Sequence, residues 1–157
     1  MTVFLDTSVL LAGLIDFGPQ SAPAQSLFHA VAEKRVQPVA TAWHCCLEFF
    51  SVATRLPVEF RITAADAIAL LEHEVLSRMT VHDLPATERL PMLIAASRDG
   101  LAGGRIYDAH IAEIARAAAA AQVIVTDNRK HFLAALRHGI RVETPTEFAT
   151  TLKGKRR

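Results

Sequence analysis

Apolar residues follow two rhythms along this chain. Short unbroken runs, TVFL at 2–5 and VIVT at 123–126, have the length and β-branched content of strands buried on both faces. Elsewhere apolar positions recur every three or four residues, as on a helix with one buried face. Residues 8–15 read as a helix ending at the turn signal Phe17-Gly18-Pro19. A second helix spans 21–34, with Ala24, Leu27, Phe28 and Val31 on one stripe. Residues 37–40 read as a strand. Thr41 then reads as the N-cap of a helix over 42–55, which Pro57 ends. Thr63 and Asp66 mark the start of a helix over 63–77, with Ile68, Leu71 and Val75 at helical spacing. Residues 79–82 form a strand. A helix over 87–101 accepts Pro91 near its start. Gly100, Gly103 and Gly104 mark a loop, Arg105-Ile106-Tyr107 leads out of it, and the Ala-rich DAHIAEIARAAAA is a helix from Asp108. Residues 122–126 form a strand, 128–138 a helix stopped by Gly139, and 141–143 a last strand before a short helix from Pro145.

Strands alternating with helices predict an α/β fold, an α/β/α sandwich around a mostly parallel sheet. The 157 residues suit one domain over 1–150, followed by a basic tail over 151–157. That tail ends KGKRR and reads either as a solvated terminus or as an arm that contacts phosphates.

Composition narrows the class. Hydrophobic residues make up 51% of the chain, which excludes a disordered protein, while no apolar run is long enough for a membrane span. No basic segment precedes an apolar run at the N-terminus, so no signal peptide is expected. Cys45 and Cys46 are adjacent, a spacing that suits neither a disulfide framework nor a metal site. A cytoplasmic protein fits best. The net charge of +1 offers no global attraction to nucleic acid, though local basic patches remain open.

The acidic positions carry the chemistry. Asp6 and Asp127 each follow a buried strand and precede a helix, and each alone reads as a helix cap. Both also lie at the carboxyl ends of strands, the edge where open α/β sheets bind ligands. Two acids at one edge repel unless one is protonated or a cation bridges them. At about 100° per residue, Ile111, Ala112, Ala115 and Ala119 fall on the same side of their helix as Asp108. A carboxylate aimed along an apolar face is costly unless it is paired, as with Arg105, or binds metal; in the first turn it can also simply cap the helix. Glu48 shares a polar stripe with His44, Ser51 and Arg55, which reads first as a solvated face; Glu48 reaches the same site only if that face borders the ligand edge. His131 beside Asp127 is a candidate phosphate contact. No HExxH, CxxC, G-x-S-x-G, P-loop or G-x-G-x-x-G pattern occurs.

In order, FLDTSVLL, the helix with LEFF, GRIYDAHIAEIA and TDNRKHF resemble the acidic motifs of PIN-domain ribonucleases, in particular the VapC-type toxins of toxin–antitoxin pairs. The resemblance spans nearly the whole chain. It implies a PIN-like fold and a catalytic set of Asp6, Glu48, Asp108 and Asp127. It further implies Mg²⁺ or Mn²⁺ on Asp6, Asp108 and Asp127, hard cations suited to oxygen donors. Thr7 and Thr126 would steady the carboxylates. Asn128 supplies an amide where relatives often carry a further acid. Arg105, Arg129 and Lys130 would contact RNA phosphates. A metal-dependent endoribonuclease, a homodimer and a cognate antitoxin follow from the same resemblance. One rival is a catalytically silent PIN-like module that binds RNA or protein. The other is a Mg²⁺-dependent phosphoacceptor domain, which wants a lysine at a late strand end where this chain has Thr126-Asp127.

Overall fold

Val3–Leu5 forms β1, and β2 (Val39–Ala42), β3 (Thr80–His82), β4 (Val123–Val125) and β5 (Arg141–Glu143) pair around it. In the computed structural model, which describes residues 1–154, all pairings are parallel and the order is β3-β2-β1-β4-β5. Val3 lies beside both Val39 and Val123, and Phe4 beside Ala40 and Ile124. The three central strands are wholly buried, while β3 and β5 are partly exposed at the edges. This is the pattern of a parallel sheet covered on both faces.

Helices α1 (Thr7–Leu14), α2 (Ala22–Ala32), α3 (Trp43–Ala53), α4 (Ala64–Leu70) and α7 (Pro145–Gly154) pack as one connected group. Helices α5 (Ala86–Arg98) and α6 (Arg105–Glu113) pack with the tight 3₁₀ segment Arg129–His138. The two groups sandwich the sheet. Wider turns prolong α4 through Leu71–Leu76 and α6 through Ile114–Ala118. Among the described residues, no helix is long and apolar enough to cross a membrane.

Several boundaries differ from the sequence reading for physical reasons. Strand β2 runs to Ala42, so Thr41 is a strand residue and not a helix cap. Its hydroxyl is fully buried and donates to the Leu5 carbonyl at 2.7 Å, locking β2 to the last residue of β1. Helix α6 begins at Arg105, three residues early, because the Gly103 and Gly104 carbonyls accept from the Ile106 and Tyr107 amides, both at 3.2 Å. Residues 129–138 wind as a 3₁₀ segment and stop at Gly139, whose φ of +74° suits glycine. Thr63 caps α4 as expected, accepting from the Asp66 amide at 3.1 Å. Helix α7 continues through Gly154, so residues 151–154 are helical; Lys155, Arg156 and Arg157 lie outside the described residues.

Candidate active site

The chain leaves β1 for β2 and β3 on one side of the sheet and enters β4 and β5 on the other. The boundary between β1 and β4 is therefore the topological switch point, and its carboxyl edge is a natural crevice. Asp6 sits there. Its amide donates to the Val125 carbonyl at 3.1 Å, extending the β1–β4 ladder by one bond.

Asp6 holds the N-cap position of α1, yet its side chain makes no capping bond. The carboxylate is 3% exposed and accepts from two hydroxyls instead, Thr126 Oγ1 at 2.8 Å and Ser8 Oγ at 3.0 Å. Each hydroxyl is held in turn by a backbone amide. The Asp127 N–H donates to Ser8 Oγ at 3.0 Å and the Asn128 N–H to Thr126 Oγ1 at 2.9 Å. The strand-end turn TDN thus orients the two donors that orient Asp6. Of the residues expected to steady it, Thr126 does so directly and Asn128 acts through its backbone. Thr7 acts through its backbone amide, which favours the ionised Asp6 carboxyl, while its buried Oγ1 is not the donor; the second hydroxyl comes from Ser8, two residues from Asp6.

Three carboxylates lie within electrostatic reach of one another in sequence. Burial raises Asp6 above its ordinary pKa of 3.8; the Thr126 and Ser8 bonds oppose the rise, and the charge of Asp108 adds to it. Asp108, in the first turn of α6 with Ile111 and Ala115 buried along its helix, is also raised, by burial first and by Glu48 among its neighbours. His131 opposes that rise, with Nδ1 3.0 Å from Asp108 Oδ2. His131 is thereby a partner of Asp108. On α3, His44 Nε2 approaches Glu48 Oε1 to 3.0 Å, but off-line, so this buried oxygen receives no hydrogen bond. The other face of His44 meets His110, Nδ1 to Nδ1, at 2.7 Å, so one of these rings donates and the other accepts. His110 is lowered, mainly by burial and then by His44.

Asp127 stands apart. The residue is exposed at the rim, and desolvation alone raises its carboxyl, with no contribution from the other three acids. The basic candidates also divide. Arg105 and Lys130 border the groove beside Asp108, together with His131 and Arg137. Arg129 is engaged by Glu147 of α7 at 2.7 Å. Sequence reasoning missed Ser8, His110 and Arg137. Ser8 had a local signal, a hydroxyl two residues after a capping acid; the others become neighbours of the acids only through packing.

Cys45 and Cys46 are buried behind this site. Burial and then the charge of Asp6 push the Cys45 thiol up to about 12, and burial pushes Cys46 up to about 11. Both therefore stay protonated and inert at neutral pH. Iodoacetamide at pH 8 is expected to leave both unmodified in the native chain and to label both after unfolding, as read by intact mass. Prompt labelling of the native protein would contradict this burial.

A family model described as PIN domain matches residues 2–130. Among solved structures, VapC20 of Mycobacterium tuberculosis, a sarcin-ricin loop cleaving toxin, aligns with a TM-score of 0.62 at 20% identity, over 85% of this chain and 94% of that one. FitAcB of Neisseria gonorrhoeae aligns at 0.59 and 18% identity, over 92% and 98%. PAE2754 of Pyrobaculum aerophilum aligns at 0.62 and 23% identity, over 98% and 90%. No curated protein matches the chain. At these identities the structural likeness establishes the fold.

Proposed function

The chain belongs to the PIN-domain family, and from that premise we propose that it is a metal-dependent endoribonuclease, the toxin of a toxin–antitoxin pair. The observation that carries the reading is the linked set Asp6–Asp108–Glu48, in which each acid raises the cost of ionising the next. A buried carboxylate that accepts two hydroxyl bonds and has further acids as neighbours is stabilised by a cation more than by anything else the chain offers.

The donor chemistry fits a hard divalent ion. Asp6 and Asp108 are the principal candidates to hold Mg²⁺ or Mn²⁺, Glu48 offers a buried oxygen that lacks a hydrogen bond, and Asp127 at the rim reaches the site through water. Among the described residues, no group of three acidic, imidazole or thiol side chains is already gathered around one point. When bound, such an ion supplies an acidified water and stabilisation of the phosphodiester's developing charge. The protein's own contribution is positioning. Thr126 and Ser8 fix the Asp6 carboxylate, and His131 holds Asp108 until a stronger partner arrives. Arg105 and Lys130 offer the adjacent groove to phosphates.

The antitoxin is inferred by analogy, since relatives of this fold are crystallised as toxin–antitoxin complexes. A homodimer belongs to the same reading. Helix α5 leaves Leu90, Leu93 and Ile94 exposed at i, i+3, i+4 spacing, an apolar stripe suited to a second protein surface. Light scattering is expected to return twice the mass of one chain.

The test is cleavage. Purified protein is expected to cut RNA internally with Mg²⁺ or Mn²⁺ and to stop when EDTA exceeds the metal, as read on a denaturing gel. Cleavage that persists in excess EDTA would sink the metal mechanism. RNA binding without any cleavage would assign the chain to a non-catalytic PIN-like module.

A further inference from the structure

Asp108 stands between two unlike depressions. It borders a groove of about 700 Å³ whose rim carries Arg105, Lys130 and Arg137. On its other side lie Glu48 and His44, whose charges act on it and which line a separate pocket of about 380 Å³ with Trp43, Leu47, Asp83 and His110. The residues lining this second pocket include no lysine or arginine, and two of them are acids, so it repels a phosphate. It is rich in rings instead. The His44 ring lies 5.7 Å from that of Tyr107, edge to face, and 5.0 Å from that of His110.

Trp43 and Tyr107 are the single tryptophan and single tyrosine of the chain. They are 46% and 60% exposed, whereas all eight phenylalanines are buried or partly buried. The fold thus shields its other aromatics and leaves these two exposed, Trp43 in the pocket lining and Tyr107 against the His44 ring. An exposed ring in a pocket with carboxylate acceptors and no lysine or arginine suits a flat, uncharged, N–H-bearing ligand.

We propose that this pocket receives an unpaired nucleobase stacked on Trp43, while the phosphates beyond it follow the Arg105–Lys130–Arg137 groove across Asp108. The inference rests on the ribonuclease reading and deepens it by assigning a base-holding residue, Trp43, beside Asp108. A base inside a duplex is stacked on both faces and paired on one edge and cannot enter a lateral pocket, so stacking on Trp43 requires an unpaired base. The charge pattern also sets direction: the base goes to the acidic, ring-lined side and the backbone to the basic side.

Because Trp43 is the only tryptophan, its fluorescence reports this pocket alone. Full-length wild-type protein is titrated, in Ca²⁺, with a fluorescein-labelled single-stranded 12-nucleotide RNA of mixed sequence, recording tryptophan emission and label anisotropy together. Emission is expected to quench in step with anisotropy, and the same RNA annealed to its complement is expected to leave emission unchanged. Trp43→Ala is expected to weaken single-strand binding roughly 5- to 150-fold, the range for loss of one stacking platform, and Trp43→Phe to restore most of it. Binding seen by anisotropy with unchanged emission overturns the pocket while leaving the ribonuclease reading in place. Absence of both binding and Mg²⁺-dependent cleavage overturns that reading and the pocket with it. Emission that shifts with protein concentration alone, and not with RNA, assigns Trp43 to a protein contact and also overturns the proposal.

Discussion

Asp6→Asn is expected to lower RNA cleavage by about 10³-fold while raising the melting temperature of the metal-free protein at neutral pH. The loss follows if Asp6 is a principal metal ligand, since several kcal/mol of charge stabilisation in the transition state then go with it. The gain follows from burial. Asp6 has its pKa raised in the fold, by desolvation first and with a contribution from Asp108. The stability this group contributes is therefore complete below its ordinary value of 3.8 and is lost as pH rises through the raised folded value. At neutral pH the metal-free fold must either bury that charge or hold a proton that the unfolded chain would release, and both cost stability.

Asparagine removes that charge and keeps the acceptor. Its Oδ1 can still receive the Thr126 and Ser8 hydroxyls that now bond Asp6 Oδ2. Melts in EDTA at pH 4 and pH 7 check the sign: the stabilisation by asparagine should be larger at pH 7. Asp6→Ala supplies the contrast, because it strands both hydroxyls and is expected to cost about 1–3 kcal/mol relative to asparagine. An Asp6→Asn protein less stable than wild type at pH 7 would show that the carboxylate is not destabilising. One that still cleaves RNA at the wild-type rate would remove Asp6 from the catalytic set.

Phe4→Ala is expected to act the other way, costing about 3–5 kcal/mol of stability while leaving the chemistry of the folded molecules intact. Phe4 is fully buried in the central strand, between Ala40 and Ile124. Its neighbours in the ladder are small or branched, so they cannot fill the space a phenyl ring leaves. Against a typical total of about 5–15 kcal/mol, this brings the protein close to unfolding. Urea denaturation should show a lower midpoint with an unchanged slope. Cleavage per folded molecule at low temperature should persist, because Asp6 keeps its ladder bond to Val125 and both hydroxyl partners. A cost below 1 kcal/mol would mean that the core closes around the gap. Together the two variants separate what stabilises this sheet from what it is used for.

Why a chain should end its first buried strand in a carboxylate has two partial answers in the structure. Asp6 does occupy the cap position of α1, as a local reading suggests. Its side chain nevertheless turns to Thr126, 120 residues away, and to Ser8. Glu48 was legible as part of a polar stripe with His44, and that pair forms as spaced. Only the first half of the stripe, His44 and Glu48, acts on Asp108, because His44 packs on His110 and Tyr107 of α6, while Ser51 and Arg55 stay exposed. Asp127 shows the converse. It has the same strand-end signal as Asp6, yet its backbone does the work at the site while its carboxylate stays at the rim.

By itself the amino-acid sequence determined the five strands, most of the helices and their parallel arrangement, because those depend on short-range periodicity, turn residues and the burial of apolar runs. It also marked the acids, through motifs whose spacing can be read along the chain. Only the tertiary structure decided which hydroxyls hold Asp6, that His131 serves Asp108, that Arg129 is taken by Glu147, and that the lone tyrosine packs on His44. The physical reason is range. Periodicity is a property of neighbours a few residues apart, whereas a site is made by side chains whose directions are set when the strand ends of a folded sheet come together.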